Sequence, residues 1–367
     1  MLLRPRPLLL LLALLASAGP RAQDAAPDAL PPDGPYLLYD HGELVAYWVD
    51  TDRRSFSQAA LGEPLPDFPT FRPELIDPRR DFGQPTSGNY QNISRVAAMS
   101  DIHGQFDVAA TLLRRQGIVD DSLHWAWGDG HLVIVGDIFD RGPRVTETLW
   151  LIHNLEIEAA RAGGRVHFLL GNHETMILEG DDRYVNSRYR TTCGLLRRRY
   201  RELYGAQSYL GRWLRSHPLL VRINGNVYVH GGLSREMVRQ VDDITQLNDI
   251  YHRYLIDEDT RVARQKSSRL DLLYGREGPL WYRGYFSRDA VSQRDIEYIL
   301  GRIGAERIVV GHTSFQAIQS FYRGRVLAVD SSMKFGSLGE LLLIENGKLY
   351  RGLLDGRRKR LLDSVAR

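Results

Sequence analysis

Five apolar runs recur along the chain, and each leads directly or within a residue or two into a short polar block. The runs are Val96–Met99, Leu132–Val135, Val166–Leu170, Val227–Val229 and Ile308–Val310, most of them rich in β-branched residues. Short runs of this kind read as buried strands that deliver their polar residues to the rim of a sheet. Helical patterns lie between them: Gln105–Arg115, Arg144–Ala162 with Pro143 at its start, and Asp289–Ile303 before the last run. That β-α rhythm predicts a layered α/β fold. Leu233–Arg264 is also helical in pattern and, with the Arg- and Tyr-rich stretch between Glu174 and Gly211, is expected to form a cap or rim.

The ends of the chain read differently. Tyr36–Tyr39, Asp40-His41-Gly42 and Leu44–Val49 predict a hairpin, followed by a proline-punctuated irregular wrap over Leu61–Asn89. Gly339–Ile344 and Lys348–Leu354, joined by Glu345-Asn346-Gly347, predict a second hairpin that adds strands to a second sheet.

Composition bounds this picture without deciding it. The chain has 367 residues, 43% hydrophobic and 25% charged, enough to bury a large core. A formal charge of +3 is small for this length, and the basic runs Arg197-Arg198-Arg199 and Arg357-Arg358-Lys359-Arg360 read as solvated faces, so no nucleic-acid partner is expected. At the N-terminus, Arg4 and Arg6 precede the apolar Leu8–Leu15 core and the small residues Ala16-Ser17-Ala18, the order of a secretory signal cleaved after Ala18. That core is far shorter than the roughly 18 residues of a spanning helix, so no stable membrane insertion is expected. The single cysteine, Cys193, allows no internal disulfide, and export without disulfides suits a bacterial periplasm. The expected organisation is a signal peptide over 1–18, a flexible linker over 19–35, hairpin and wrap over 36–94, a catalytic domain over 95–354, and a basic tail over 355–367.

The polar blocks are Asp101-Ile102-His103-Gly104, Gly136-Asp137-Ile138-Phe139-Asp140-Arg141-Gly142, Gly171-Asn172-His173-Glu174, His230-Gly231-Gly232 and Gly311-His312. Singly, such blocks are common turns. In this order, each after a strand-like run, they supply carboxylates, imidazoles and an amide suited to two divalent cations that activate water against a phosphate ester.

These blocks resemble the calcineurin-like metallophosphoesterases, in particular the phosphoprotein phosphatase branch and its bacterial Shewanella-like members. The resemblance covers about Arg95 to Leu354, and Pro279-Leu280-Trp281-Tyr282-Arg283-Gly284-Tyr285 and Gly34-Pro35-Tyr36 favour the Shewanella-like branch. Ser100 stands where that family usually has a glycine. The resemblance implies a four-layer α/β/β/α sandwich with two central mixed β-sheets. It implies two metal ions, one on Asp101, His103 and Asp137, the other on Asp137, Asn172, His230 and His312. This oxygen and nitrogen set is compatible with Mn, Fe or Zn and does not choose among them. By the same resemblance His173 is the general acid, Asp140 orients it, and Arg141 clamps phosphate, with Arg283 and Asn172 as further phosphate-binding candidates. Glu174 is expected as a supporting or helix-start residue.

The nucleophile expected of such a centre is a hydroxide shared by the two cations, because coordination lowers the pKa of water from about 15.7 towards 7. The expected substrate is a phosphorylated protein or small phosphomonoester. A phosphotyrosine leaning would follow if Tyr184, Tyr189, Tyr282 and Tyr285 cradle a phenyl ester, although these residues could equally be scaffold. A dinucleoside-polyphosphate or other nucleotide hydrolase, and a metal-dependent binding protein without turnover, are the alternatives.

Overall fold

The computed structural model describes residues 30–83, 88–256 and 260–362. The signal-peptide expectation therefore lies outside the described residues, as does most of the linker. Three sheets organise the chain from Pro32 onwards. The N-terminal one comprises β1 (Asp33–Asp40), β2 (Glu43–Asp50) and β3 (Ser55–Ala60), in that order. The expected hairpin is there, and a third strand extends it. Two six-stranded sheets form the centre, from β4 (Gly88–Tyr90), β5 (Arg95–Met99), β6 (His131–Ile134), β7 (Arg165–Phe168), β8 (Leu220–Ile223), β9 (Asn226–Val229), β10 (Arg307–Val310), β11 (Gln319–Phe321), β12 (Val326–Ala328), β13 (Glu340–Glu345), β14 (Lys348–Leu353) and β15 (Arg358–Arg360). The first has the order β15-β14-β13-β5-β6-β7, the second β11-β12-β10-β9-β8-β4.

Alternation along the strands builds the layers, because successive side chains leave opposite faces. Val96, Ala98, Val133 and Val135 meet Val221, Tyr228, Val309 and Leu327 in an apolar seam between the two sheets. Their neighbours Ala97, Met99, Leu132 and Ile134 face outwards, into a core shared with α1 (Phe106–Arg115) and α2 (Val145–Arg161). On the far side Val227, Val229, Ile308 and Val310 pack on the helical segments between Arg235 and Ile303. The result is the α/β/β/α sandwich. Every strand that carries a polar block is buried on both faces, which explains why the sequence shows continuous apolar runs.

Four sequence expectations are corrected. The C-terminal hairpin β13–β14 joins the sheet of β5 to β7, with β13 antiparallel to β5, and the second sheet instead recruits β11, β12, β8 and β4. The linker boundary at residue 35 is too late: Asp33 is fully buried in β1, accepting from Tyr36 and Thr146, and Trp150 Nε1 donates to Pro35 O at 3.1 Å, so the N-terminal sheet docks on α2. Within the basic tail, Arg358–Arg360 is an edge strand on β14, and its cations keep that edge from pairing further. Leu233–Arg264 is a series of short pieces, Arg235–Val238, Gln246–Tyr251, a π-turn at His252–Ile256 and Thr260–Lys266, and the last long helix starts at Gln293, where Ser292 caps it.

Candidate metal centre and active site

Register levels the site. Met99, Ile134 and Phe168 are aligned across three parallel strands, so the chain leaves β5, β6 and β7 at the same height with the first three polar blocks. In the second sheet Val229, Val310 and Ala328 are likewise level, and β9, β10 and β12 end on His230, His312 and Asp330. Ligand sites of open α/β sheets form at such carboxyl ends.

The turns after the strands are tight enough to force unusual backbone. Asp101, His103, Asp137, Asp140, Arg141 and His312 all have positive φ, between 47° and 72°. Non-glycine residues rarely adopt this region, Asp and His less unwillingly than most, and it typically costs about 1–3 kcal/mol per residue. Hydrogen bonds hold the strained turns. Glu174, fully buried in α3 (Asn172–Glu179), accepts the Asp137 and Gly171 N–H groups at 2.8 and 2.7 Å with one oxygen and the Ile138 N–H at 2.7 Å with the other. Its supporting role is as expected. Gly171 lets the carboxylate come close: a Cβ there would stand 2.2 Å from Asp137 Oδ1.

Asp137 Oδ2 is the hub. It lies 3.7 Å from His103 Nε2, 3.9 Å from His173 Nε2 and 3.3 Å from His230 Nε2, while Oδ1 accepts the His173 N–H at 3.0 Å. His230 Nε2 is also 3.0 Å from Asn172 Oδ1 and 3.2 Å from His312 Nδ1. Asp101 Oδ1 is 3.8 Å from His103 Nε2, and Asp101 Oδ2 is taken by the His312 N–H at 2.9 Å and Ser100 Oγ at 2.5 Å. Backbone carbonyls fix two rings from behind, Phe139 O on His103 Nδ1 and Val135 O on His230 Nδ1, both at 2.7 Å, so that Nε2 faces the centre in each. All six residues expected to hold metal are buried and converge here.

The electrostatics fit cations. Asp101, Asp137, Glu174 and Asp330 are buried carboxylates in one neighbourhood. Burial, then the charges of Asp330 and Asp137, push Asp101 up. Burial also works against charge on Asp137, yet the imidazoles of His230, His173 and His103 outweigh it and hold its carboxyl well below the usual range. Burial pulls His230 down, but Asp137 overcomes it and raises His230 to about 10, whereas burial takes His103 to about 3 and His312 to about 2. Two Asp/His clusters, His103–Asp137–His173 and Asp137–His230–His312, have donor atoms close enough to share an ion, and Asp137 belongs to both.

Beside the hub, His173 Nδ1 is hydrogen-bonded to Asp140 Oδ2, leaving Nε2 towards the centre. Burial opposes charge on this ring, but Asp137 and Asp140 raise its pKa. Arg141, Arg283 and Asn172 line the same cavity of about 260 Å³. Arg283 also donates to His312 O at 2.7 Å and Thr313 Oγ1 at 3.1 Å, so it braces a ligand loop as well as facing the cavity. Of the four tyrosines considered for the rim, only Tyr184 reaches it, 47% exposed and 5.5 Å from the His173 ring. Tyr189 and Tyr285 are buried and hold Pro143 O and Leu233 O, and Tyr282 packs edge-on against Tyr285, because their hydroxyls and rings serve the scaffold.

Sequence reading missed several lining or supporting groups, Asp330, Trp281 and Lys334 among them. Asp330 accepts Ser314 Oγ at 2.5 Å and the Ser332 N–H at 3.0 Å; the apolar Val326–Val329 run ending on an acid was its visible signal. Trp281, edge-on to His312 at 5.8 Å, sits inside a stretch noted only for its resemblance. Lys334, on the turn Met333–Phe335, has no signal at all.

Residues 94–314 match the calcineurin-like phosphoesterase family, so the chain belongs to that family and is a metallophosphoesterase, an enzyme of phosphoester hydrolysis. More particularly, it is similar to the cold-active protein-tyrosine phosphatase of a psychrophilic Shewanella species, whose crystal structure is 39% identical over 90% of this chain and all of that one, with a TM-score of 0.81. It is also similar to Shewanella-like protein phosphatase 2 of Arabidopsis thaliana, at 26% identity over 80% of this chain and 82% of the relative. An uncharacterised protein of Schizosaccharomyces pombe is 30% identical over 67% of this chain and 75% of its own length. Among the described residues no helix is long and apolar enough to cross a membrane.

Proposed function

We propose that the protein is a dinuclear-metal phosphomonoesterase acting on phosphoproteins, with a preference for phosphotyrosine. The observation that carries this reading is the placement of Asp137 Oδ2 between His103 and His230, where one carboxylate can serve two cations, with His173 tied through Nδ1 to a carboxylate of its own, Asp140. Asp101, His103 and Asp137 hold one cation; Asp137, Asn172, His230 and His312 hold the other. When bound, the two cations, of Mn, Fe or Zn type, activate water and neutralise charge on phosphorus oxygens. Arg141, with Asn172 and Arg283, orients the phosphate, a guanidinium fork matching two of its oxygens. His173 Nε2 gives the leaving oxygen its proton, and Asp140 keeps the proton on the ring in the right tautomer.

The phosphotyrosine preference rests on Tyr184, whose exposed ring leans on the residue that must meet the leaving group, and on Trp281 beside His312; it is supported by the similarity to the Shewanella protein-tyrosine phosphatase. The N-terminal Arg, Leu-rich and small-residue order supports export to a periplasm. One experiment tests the activity: protein of measured metal content is assayed on phosphotyrosine, phosphoserine and phosphothreonine peptides and a dinucleoside tetraphosphate. Inorganic phosphate released fastest from phosphotyrosine is expected. Preferred cleavage of the anhydride would make it a nucleotide hydrolase, and no turnover at full metal occupancy would make it a binding protein.

A further inference from the structure

The active-site cavity draws its cations from both sheets. Arg141 comes from the turn after β6, and Lys334 from the turn after β12. Of the other two lining cations, Arg283 donates to His312 O and Thr313 Oγ1, and Arg183 is already matched by Asp181 through Nε contacts of 2.8 and 3.0 Å. Lys334 has no such direct match and reaches the buried Asp330 only through Ser314. Among the described residues its ammonium pairs with no carboxylate; it donates to Ser314 Oγ at 2.6 Å and stands 5.5 Å from the Phe335 ring. It is half-buried. An ammonium carries three donors, and Ser314 takes one of them, so the half-buried Lys334 keeps donors for an anion in the cavity.

The turn is built to hold it there. Ser332 begins it in left-handed backbone, Gln105 Nε2 donates to Lys334 O at 3.1 Å, and Ser314 Oγ donates to the buried Asp330, so the hydroxyl that accepts a hydrogen bond from Lys334 is itself fixed. Gly336 keeps the gap open for Gln105, since a Cβ there would lie 2.9 Å from Gln105 Oε1.

We propose that Lys334 binds a non-bridging oxygen of the substrate phosphate from the second-sheet side of the cavity, opposite in origin to Arg141, and selects dianionic phosphomonoesters over monoanionic diesters. This rests on the phosphomonoesterase reading above. A point charge added to an arginine fork rewards the second negative charge of a monoester, which a diester lacks.

The test measures inorganic phosphate binding to the metal-loaded protein by calorimetry, together with turnover of an aryl phosphate monoester and its bis-aryl diester. Lys334→Met is expected to weaken phosphate binding about 10-fold to 100-fold, the range for one charge-assisted hydrogen bond, and to lower the monoester-to-diester ratio of kcat/KM. Lys334→Gln, which can still donate to Ser314, should fall with Lys334→Met, and Lys334→Arg should stay within a few-fold of wild type. Thermal melting shows that each variant folds. The proposal is overturned if phosphate binding survives in folded Lys334→Met while Arg141→Ala loses it, or if Lys334→Gln behaves as wild type, which would reduce Lys334 to a brace for the Ser314 loop. Because calorimetry needs no turnover, a wild type that binds phosphate through Lys334 but hydrolyses no monoester would defeat the parent reading alone.

Discussion

The sheet of β5, β6 and β7 brings its site residues in contiguous blocks, with Asp101 and His103, Asp137 to Arg141, and Asn172 to Glu174 each arriving on one turn. The sheet of β9, β10 and β12 brings single residues, His230, His312, Asp330 and, farther along, Lys334. The difference follows from what each turn must do. The first three turns carry ligands, their supports and the His173–Asp140 pair within four or five residues, whereas strained backbone and close-packed glycines occur in the turns of both sheets. The second-sheet turns each place one ring or charge, and their other residues pack the turn rather than supply ligands. The first half is thus a built constellation, and the second half completes it.

If Asp137 joins the halves, its loss should hurt most. Asp137→Asn keeps the acceptor for the His173 N–H but removes the shared charge, so we expect activity to fall by about 10³-fold or more, with both metals depleted. His103→Ala and His312→Ala, touching one cluster each, should each retain the metal of the other half. Metal analysis by mass spectrometry reads this directly. Full two-metal occupancy in Asp137→Asn would separate the halves after all.

The next effect belongs to the first half alone. His173→Asn should retain both metals and lose about 10² to 10⁴ in rate on esters with poorly departing groups, such as a tyrosine phenolate of pKa about 10, and far less on nitrophenyl phosphate. Asp140→Asn should follow the same trend. A series of aryl phosphates of rising leaving-group pKa, with chemistry limiting, distinguishes this from a uniform loss, which would deny His173 the proton-donor role.

The same contrast explains what the sequence made legible. The polar blocks on apolar runs, through the family they resemble, pointed to the six converging metal-ligand candidates, to His173, Asp140 and Arg141 and to the sandwich, and the alternation of strand-like and helical patterns pointed to a layered α/β fold. Lys334 and Trp281 were hidden because one residue on a loop has no periodicity to betray it. The sheet membership of β13 was hidden because an Asn-Gly turn fixes a hairpin but not the strand it joins. Tyr189, Tyr282 and Tyr285 looked like rim aromatics because composition does not report which way a ring points, and burial decided it.

Where the halves touch, Ser100 of the first packs on Gly311 of the second: a Cβ at Gly311 would lie 1.9 Å from Ser100 Oγ and 2.7 Å from Asp101 Oδ2. Gly311→Ala should therefore destabilise by about 1–3 kcal/mol, the usual range for overpacking, and weaken the metal held by Asp101. Denaturant unfolding and metal titration check it. A variant as stable and as metal-replete as wild type would mean that the seam is loose.

The smallest effect lies in the first half's outer core, away from the chemistry. His153 is fully buried among Trp150, Tyr209 and Trp213, its Nε2 3.3 Å from Tyr209 Oη, and burial lowers its pKa to about 4 from 6.5. Because the folded protein holds this ring neutral where the unfolded chain would protonate it, the unfolded state binds more protons between pH 6.5 and 4. Stability is therefore complete above pH 6.5 and declines as pH falls through that window, by about 1–2 kcal/mol for this group between pH 7 and 5. His131 and His167, also held neutral chiefly by burial, add to the slope of the wild type, so the contribution of His153 is read as a difference. Unfolding of wild type and His153→Phe, compared at pH 7 and pH 5, should show a shallower decline in the variant whatever its absolute stability, since the other histidines are common to both. Parallel declines would mean that His153 takes up its proton without opening the aromatic core, and that the first half is softer there than its packing implies.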